Sequence, residues 1–222
     1  MGHTGPIAVP AAVELASLVT IAVLLPTSRP HEEQAAYGTR PGARRFGTVL
    51  AAGTPSATGA FAGFTYVGKF LGEVSGFEQA TVGVLLVVFG GACLAGVTVT
   101  GAVLDRFPQA ALSAAVAVRA VGMLGLYAAG TEPVAAVVFL ALMGGALGPV
   151  FMTTQNAMLQ CAPGRTDLAL AANSGSCNAG IAAGAAPGGL VLRIAGERAT
   201  FLAGGLFTAG ACGVLLGAGA AS

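Results

Sequence analysis

Seven runs of apolar residues, each close to the length that crosses a bilayer, leave this chain few choices of fold. They cover 7–26, 47–71, 80–104, 109–129, 133–160, 167–192 and 199–219, and are called segments A to G. A helix needs about 20 such residues to span a hydrocarbon layer of about 30 Å. Helices meet that layer well because every backbone N–H and C=O is bonded within the segment. The breaks are short and carry turn or charged residues: SRPHEEQ, EVSGFEQ, DRFPQ, GTEP, APGRTD and AGER. Only 27–46 is longer, and it holds the densest charge in the chain. It reads as a solvated, cytoplasmic linker between a first transmembrane helix within 1–26 and a six-helix bundle over 47–222. The expected fold class is all-α, a polytopic membrane helix bundle of about seven transmembrane helices.

Composition agrees. Charged residues are 9% of the chain, hydrophobic residues 55%, and the mean hydropathy is +0.81. A soluble domain carries roughly 25% charge, so lipid is the first expected partner and a cell membrane of the bacterial inner-membrane type the expected location. A formal charge of +1 offers no basic field for nucleic acid. Cys93, Cys161, Cys177 and Cys212 are isolated, so neither a disulfide framework nor a zinc site is expected. They read as small hydrophobes.

The loops also carry orientation. Arg29, Arg40, Arg44, Arg45, Arg106 and Arg165 fall on one side, and Lys69, Arg193 and Arg198 on the other. The positive-inside rule then places the linker and C-terminus in the cytoplasm and the N-terminus outside. Segment A has no Lys or Arg ahead of it and arginines after it, so it reads as a retained helix rather than a cleaved signal.

Within the spans, small and polar residues are patterned. Gly180, Gly184 and Gly188 recur every four residues, giving segment F a face without side-chain bulk, and Pro187 favours a bend there. Segment B is interrupted similarly by Gly53, Pro55, Gly59 and Gly63; paired broken helices often mark a transporter's binding region. Segment E carries Thr153, Thr154, Gln155 and Asn156, and segment F carries Asn173, Ser174, Ser176 and Asn178. Polar groups at such depth are costly, which makes them candidates for a substrate pathway as well as for helix-to-helix hydrogen bonds. Glu14 and Arg119 are charges near the middle of segments A and D. A proton-coupling carboxylate modulated by an arginine is one expectation; a packing charge or mutual ion pair is the other.

The order of features resembles a known family. Segment B ends in FTYVGKFLGEVSGF (64–77), segment C runs into GAVLDR (101–106), segment E carries LGPVFMTTQNAMLQCAPGRTDLA, and segment F carries NSGSCNAGIAAGAAPGG. These are similar to the C-terminal half of the major facilitator superfamily. Within that family they are similar to the drug:proton antiporter branch, which holds the sugar-efflux and chloramphenicol-resistance permeases. The resemblance matches segment A to the sixth helix and segments B to G to the seventh through twelfth. The first five have no counterpart, and Lys69 stands where the branch often has proline.

The resemblance implies secondary transport by alternating access, with a small-molecule substrate and protons as partners. Proton-coupled efflux of a drug-like molecule or sugar is the leading case. It implies a conformational latch at Gly101, Asp105 and Arg106, and a cavity bordered by segments E and F. Thr65 and Tyr66, with Lys69, sit where an outer gate would be, and equally where an interfacial Tyr and a snorkelling Lys are expected regardless of function. The alternative expectation is a transport-inactive membrane fragment, or a half that works with a separate N-terminal half or by self-association. No enzymatic activity and no cofactor are expected. His3 and His31 lie in the tail and linker, away from NSGSCN, and no GxxxxGK[ST] loop is present.

Overall fold

A computed structural model describes residues 15–16, 18–20, 23, 43–162 and 166–219. The chain divides into two compact units, Met1–Ala35 and Ala36–Ser222. In the first, the described residues are helical, with Leu15, Leu18, Val19 and Val23 exposed and the Thr20 hydroxyl donating to the Ala16 carbonyl. Glu14 lies outside the described residues.

Among its described residues the second unit is helical throughout. Its elements are α1 (Ala43–Phe64), α2 (Val67–Glu73), α3 (Gln79–Leu104), α4 (Pro108–Ala129), α5 (Pro133–Cys161) and α6 (Thr166–Gly219). Pro108 and Pro133 open α4 and α5, where a missing N–H leaves no intrahelical bond unmade. Gly196, at φ 80° and ψ 179°, breaks α6 into arms 166–195 and 197–219. That conformation is open to glycine and closed to almost every other residue. The two arms are segments F and G.

Among the described residues four helices are long and apolar enough to cross a membrane: α3, α4, α5 and α6. At 1.5 Å per residue, the 26 residues of α3 extend about 39 Å. One side of α3 packs Val82, Leu85 and Phe89 inward, while Val87 and Leu94 are 74% and 70% exposed on the other. A helix apolar on both sides belongs between protein and lipid. The chain is an all-α membrane helix bundle.

Segment B departs from the simple expectation of one span. Its helix starts at Ala43, is interrupted at Thr65–Tyr66, and resumes as the seven-residue α2. By composition α1 does not reach the apolarity of a membrane span. The reason lies in its surroundings. Thr54, Thr58 and Ala62 of α1 receive the glycine face of the first arm of α6, where a Cβ on Gly180, Gly184 or Gly188 would meet their backbone. A Cβ on Gly59 would meet the Gly204 carbonyl and Thr208 hydroxyl of the second arm. Clasped between both arms, α1 has little need of an apolar surface.

Helix α5 meets α3 through a second set of close approaches. Pro149 has no N–H, so the Gly145 carbonyl lacks its helical donor. That carbonyl faces Gly96 of α3, where a Cβ would strike it. A further cluster joins Phe70, Met123, Leu126, Leu140, Met143 and Phe201, all fully buried. The rings of Phe70 and Phe201 have centroids 4.5 Å apart. In lipid such contacts stabilise by close packing rather than by removal from water.

Candidate functional site

The polar residues inside the bundle converge on α1. Ser56 follows Pro55 and faces α4, where Arg119 lies 1% exposed. One terminal nitrogen of Arg119 donates to the Ser56 carbonyl at 2.9 Å and also to the Ser56 hydroxyl. Its Nε has no partner among the described residues. Gly53, Ala57, Val150, Phe151, Thr154 and Cys177 line a narrow crevice with it. This crevice draws on α1, α4, α5 and the first arm of α6. The Thr154 hydroxyl is turned to its own helix, donating to the Val150 carbonyl at 2.6 Å, and Thr153 bonds the Pro149 carbonyl at 2.7 Å.

A second polar contact holds the same interface. The hydroxyls of Thr54 and Ser176 lie 2.6 Å apart, joining α1 to α6 just before the glycine face begins. At the far end of that face, Tyr66 donates its hydroxyl to the Ala185 carbonyl at 2.9 Å, and its ring lies 3.1 Å from where a Cβ on Gly188 would be. Gly184 completes the stripe, while Pro187 of the same arm is exposed. The neighbouring Thr65 is exposed and bonds back to the Phe61 carbonyl.

The amides suggested by sequence are placed differently from one another. Asn173 is buried and Asn178 exposed, as a spacing of five on one helix implies. Asn178 donates to the Ser174 carbonyl at 2.9 Å. Gln155 is exposed and Asn156 partly buried. Of these candidates, Thr154 alone shares the crevice of Arg119. Ser56 and Gly53 belong to the site and were not singled out as polar or pocket residues by sequence. Their signal is register: Val49, Ala52, Ser56 and Ala60 follow helical spacing and are all buried.

Gly101, Asp105 and Arg106 are exposed at the end of α3. Asp105 and Arg106 form no ion pair with each other; Arg106 lies over the Phe107 ring, 5.3 Å from its centroid. The opposite end of the bundle is tied more densely. Lys69 reaches Glu197 at 2.8 Å and Glu73 at 3.7 Å, joining α2 to the turn of α6. Hydrogen bonding to Glu197 holds the exposed Lys69 ammonium above its ordinary pKa of 10.5. Arg198 donates twice to the Tyr127 carbonyl at the end of α4, and Ser75 bonds the Gly130 carbonyl at 2.6 Å. These contacts put Lys69 and Arg198 at one end, as the alternation of loops requires.

A wider concavity lies elsewhere, an open groove of about 590 Å³ between α1 and the second arm of α6. Ala51, Pro55, Leu206, Phe207, Gly210 and Val214 are among its lining residues, and none of its side chains donates or accepts a hydrogen bond. Such a surface suits an acyl chain better than a polar solute.

Glycine-lined helix interfaces and a buried polar crevice are features of a polytopic membrane helix bundle. No family model matches the sequence. The chain is 34% identical over 161 residues to an uncharacterized MFS-type transporter of Bacillus subtilis (strain 168), YtbD; the alignment covers 69% of this chain and 40% of that protein. This similarity supports the major facilitator superfamily (MFS) as the family of this chain. The chain spans less than half the length of that relative.

Proposed function

We propose that this chain takes part in secondary active transport by alternating access, as the C-terminal bundle of a major facilitator transporter, moving a small drug-like molecule or sugar outward against protons. The observation that carries this reading is the seat of α1. Gly180, Gly184 and Gly188 press on its backbone from one arm of α6 and Gly204 from the other. Interfaces without side-chain knobs let helices slide or rock with little rotamer rearrangement, which alternating access needs. Pro55 and Pro187 add a bend point on each partner.

In this reading the exposed Gln155 and Asn178 face the solute, with Asn156 and Asn173 behind them. Thr65 and Tyr66 border the outer end, and Gly101, Asp105 and Arg106 form the inner latch. The wall opposite comes from further helices, of the same polypeptide or of a partner or second copy. The N-terminus lies outside and the C-terminus in the cytoplasm.

Everted membrane vesicles carrying the full chain provide the test. Energised vesicles are expected to accumulate a fluorescent cationic or sugar-like solute and to lose it on adding a protonophore. Accumulation indifferent to the protonophore would remove proton coupling from the proposal. Correctly inserted chain with no solute movement over control vesicles would remove unaided transport.

A further inference from the structure

The guanidinium of Arg119 is enclosed in a helix of membrane-crossing length, and its acceptors are both neutral oxygens of Ser56. The ion pairs among the described residues are those of Lys69 with Glu73 and Glu197, so none serves Arg119. Its Nε–H is buried and meets no acceptor among the described residues. A charged donor left dry is costly, and buried polar groups are met by protein or by ordered water. The crevice that Arg119 lines has about 10 Å³ of room, about what a single water fills. Thr154 and Cys177 bring the other polar side chains to its lining, and the remaining residues are apolar or glycine. The Thr154 hydroxyl gives its proton to the Val150 carbonyl at 2.6 Å, which leaves lone pairs on its oxygen open to a donor. Cys177 lies within electrostatic reach of the guanidinium, and its sulfur is a weak acceptor. A buried water needs about two to four polar partners, and these side chains supply that number.

We propose that this crevice is a hydration site that binds one water, which accepts from Arg119 Nε and donates to the Thr154 oxygen and the Cys177 sulfur. The water joins α4 to α5 and to the first arm of α6, beside the tie that Ser56 makes between α4 and α1. Four helices then meet at one guanidinium through neutral dipoles alone. The site selects by size and by polarity. An anion of halide or carboxylate size exceeds the room, and an apolar guest would leave Nε unmet. This goes beyond transport itself, since it concerns what the bundle binds.

The test is diffraction from crystals of the full chain, grown in chloride and again in bromide. An ordered peak about 2.7–3.2 Å from Arg119 Nε is expected in both, with no anomalous signal from bromide. Thr154→Val keeps the side-chain shape and removes the acceptor, so the peak is expected to vanish. Thr154→Ser retains the hydroxyl and is expected to retain the peak. A map that shows other buried waters but no peak at Nε overturns the proposal. A bromide signal there also overturns it, because the occupant would be an anion. A peak unchanged in Thr154→Val overturns the bridge. Should Thr154→Val fail to fold, the two wild-type maps decide. Because the water is located without solute movement, a failed vesicle assay and a missing peak remain separate results.

Discussion

At Ser56 the hydroxyl and the carbonyl of a single residue meet the same guanidinium, that of Arg119. Ser56→Ala removes one of two acceptors from a buried cation and is expected to cost about 1–3 kcal/mol, read as a lower unfolding midpoint in detergent. Asp105→Asn should behave in the opposite manner. The residue is exposed and has no ion-pair partner among the described residues, so its midpoint should stay at the wild-type value. A loss of transport at unchanged stability would then report a latch; a loss of stability would show that Asp105 has a structural partner instead. Arg119 was legible in the sequence because a charge inside an apolar run announces itself. Ser56 was not, since a lone serine beside a proline differs little from the other small residues of α1. Gln155 and Thr154 are adjacent and look alike in sequence, yet one is exposed and the other buried; a rotation of about 100° per residue separates them.

Among the elements, α1 depends most on its neighbours. Gly184→Leu would drive a side chain into the Thr58 carbonyl and the Ala62 amide, backbone atoms that cannot step aside. The expected cost is about 1–3 kcal/mol or more, with α1 and α6 parting first in hydrogen exchange. Gly196→Ala tests a different cause. Nothing lies within 4 Å of a Cβ there, yet φ is 80° and ψ 179°, so a cost of about 1–3 kcal/mol is expected from the backbone alone. Gly210→Ala, equally open but helical, should leave the midpoint at or slightly above the wild-type value and serves as the control. The extents of α3, α4 and α5 were legible to within a residue or two, because apolar length and flanking Pro or charged residues mark them. The interruption at Thr65–Tyr66 was not. Tyr66 is held by the Ala185 carbonyl, 119 residues away, and nothing local signals that bond.

For the molecule as a whole, one end is fastened by Lys69, Glu197, Arg198 and Ser75, while Asp105 and Arg106 at the other are free of ion pairs among the described residues. The Lys69 pKa is raised, so its pairing holds below that value and is lost as pH rises through it, above 10.5. Closure of this end is therefore expected to be insensitive to pH near neutrality, which protection factors of the α2 amides, compared between wild type and Lys69→Met across that range, would check. If the fastened end is the outer one, a reporter fused after Ser222 should be active in the cytoplasm and silent outside it. The all-α membrane bundle was legible because apolar span length is an additive property of sequence. Which end is fastened was not, because it rests on pairings between loops far apart in the chain.

The polarity of α1 bears on how the protein is made. Its partner arm begins at Thr166, so about 100 residues follow α1 out of the ribosome before its clasp exists. At about 5–20 residues per second this takes some 5–20 s. During that interval a helix rich in Thr, Ser and Gly, short of the apolarity of a membrane span, lacks its protein partner. Such a helix is expected to stay at the insertion machinery until its clasp exists, whereas α3 is apolar enough to enter the bilayer as soon as it is made.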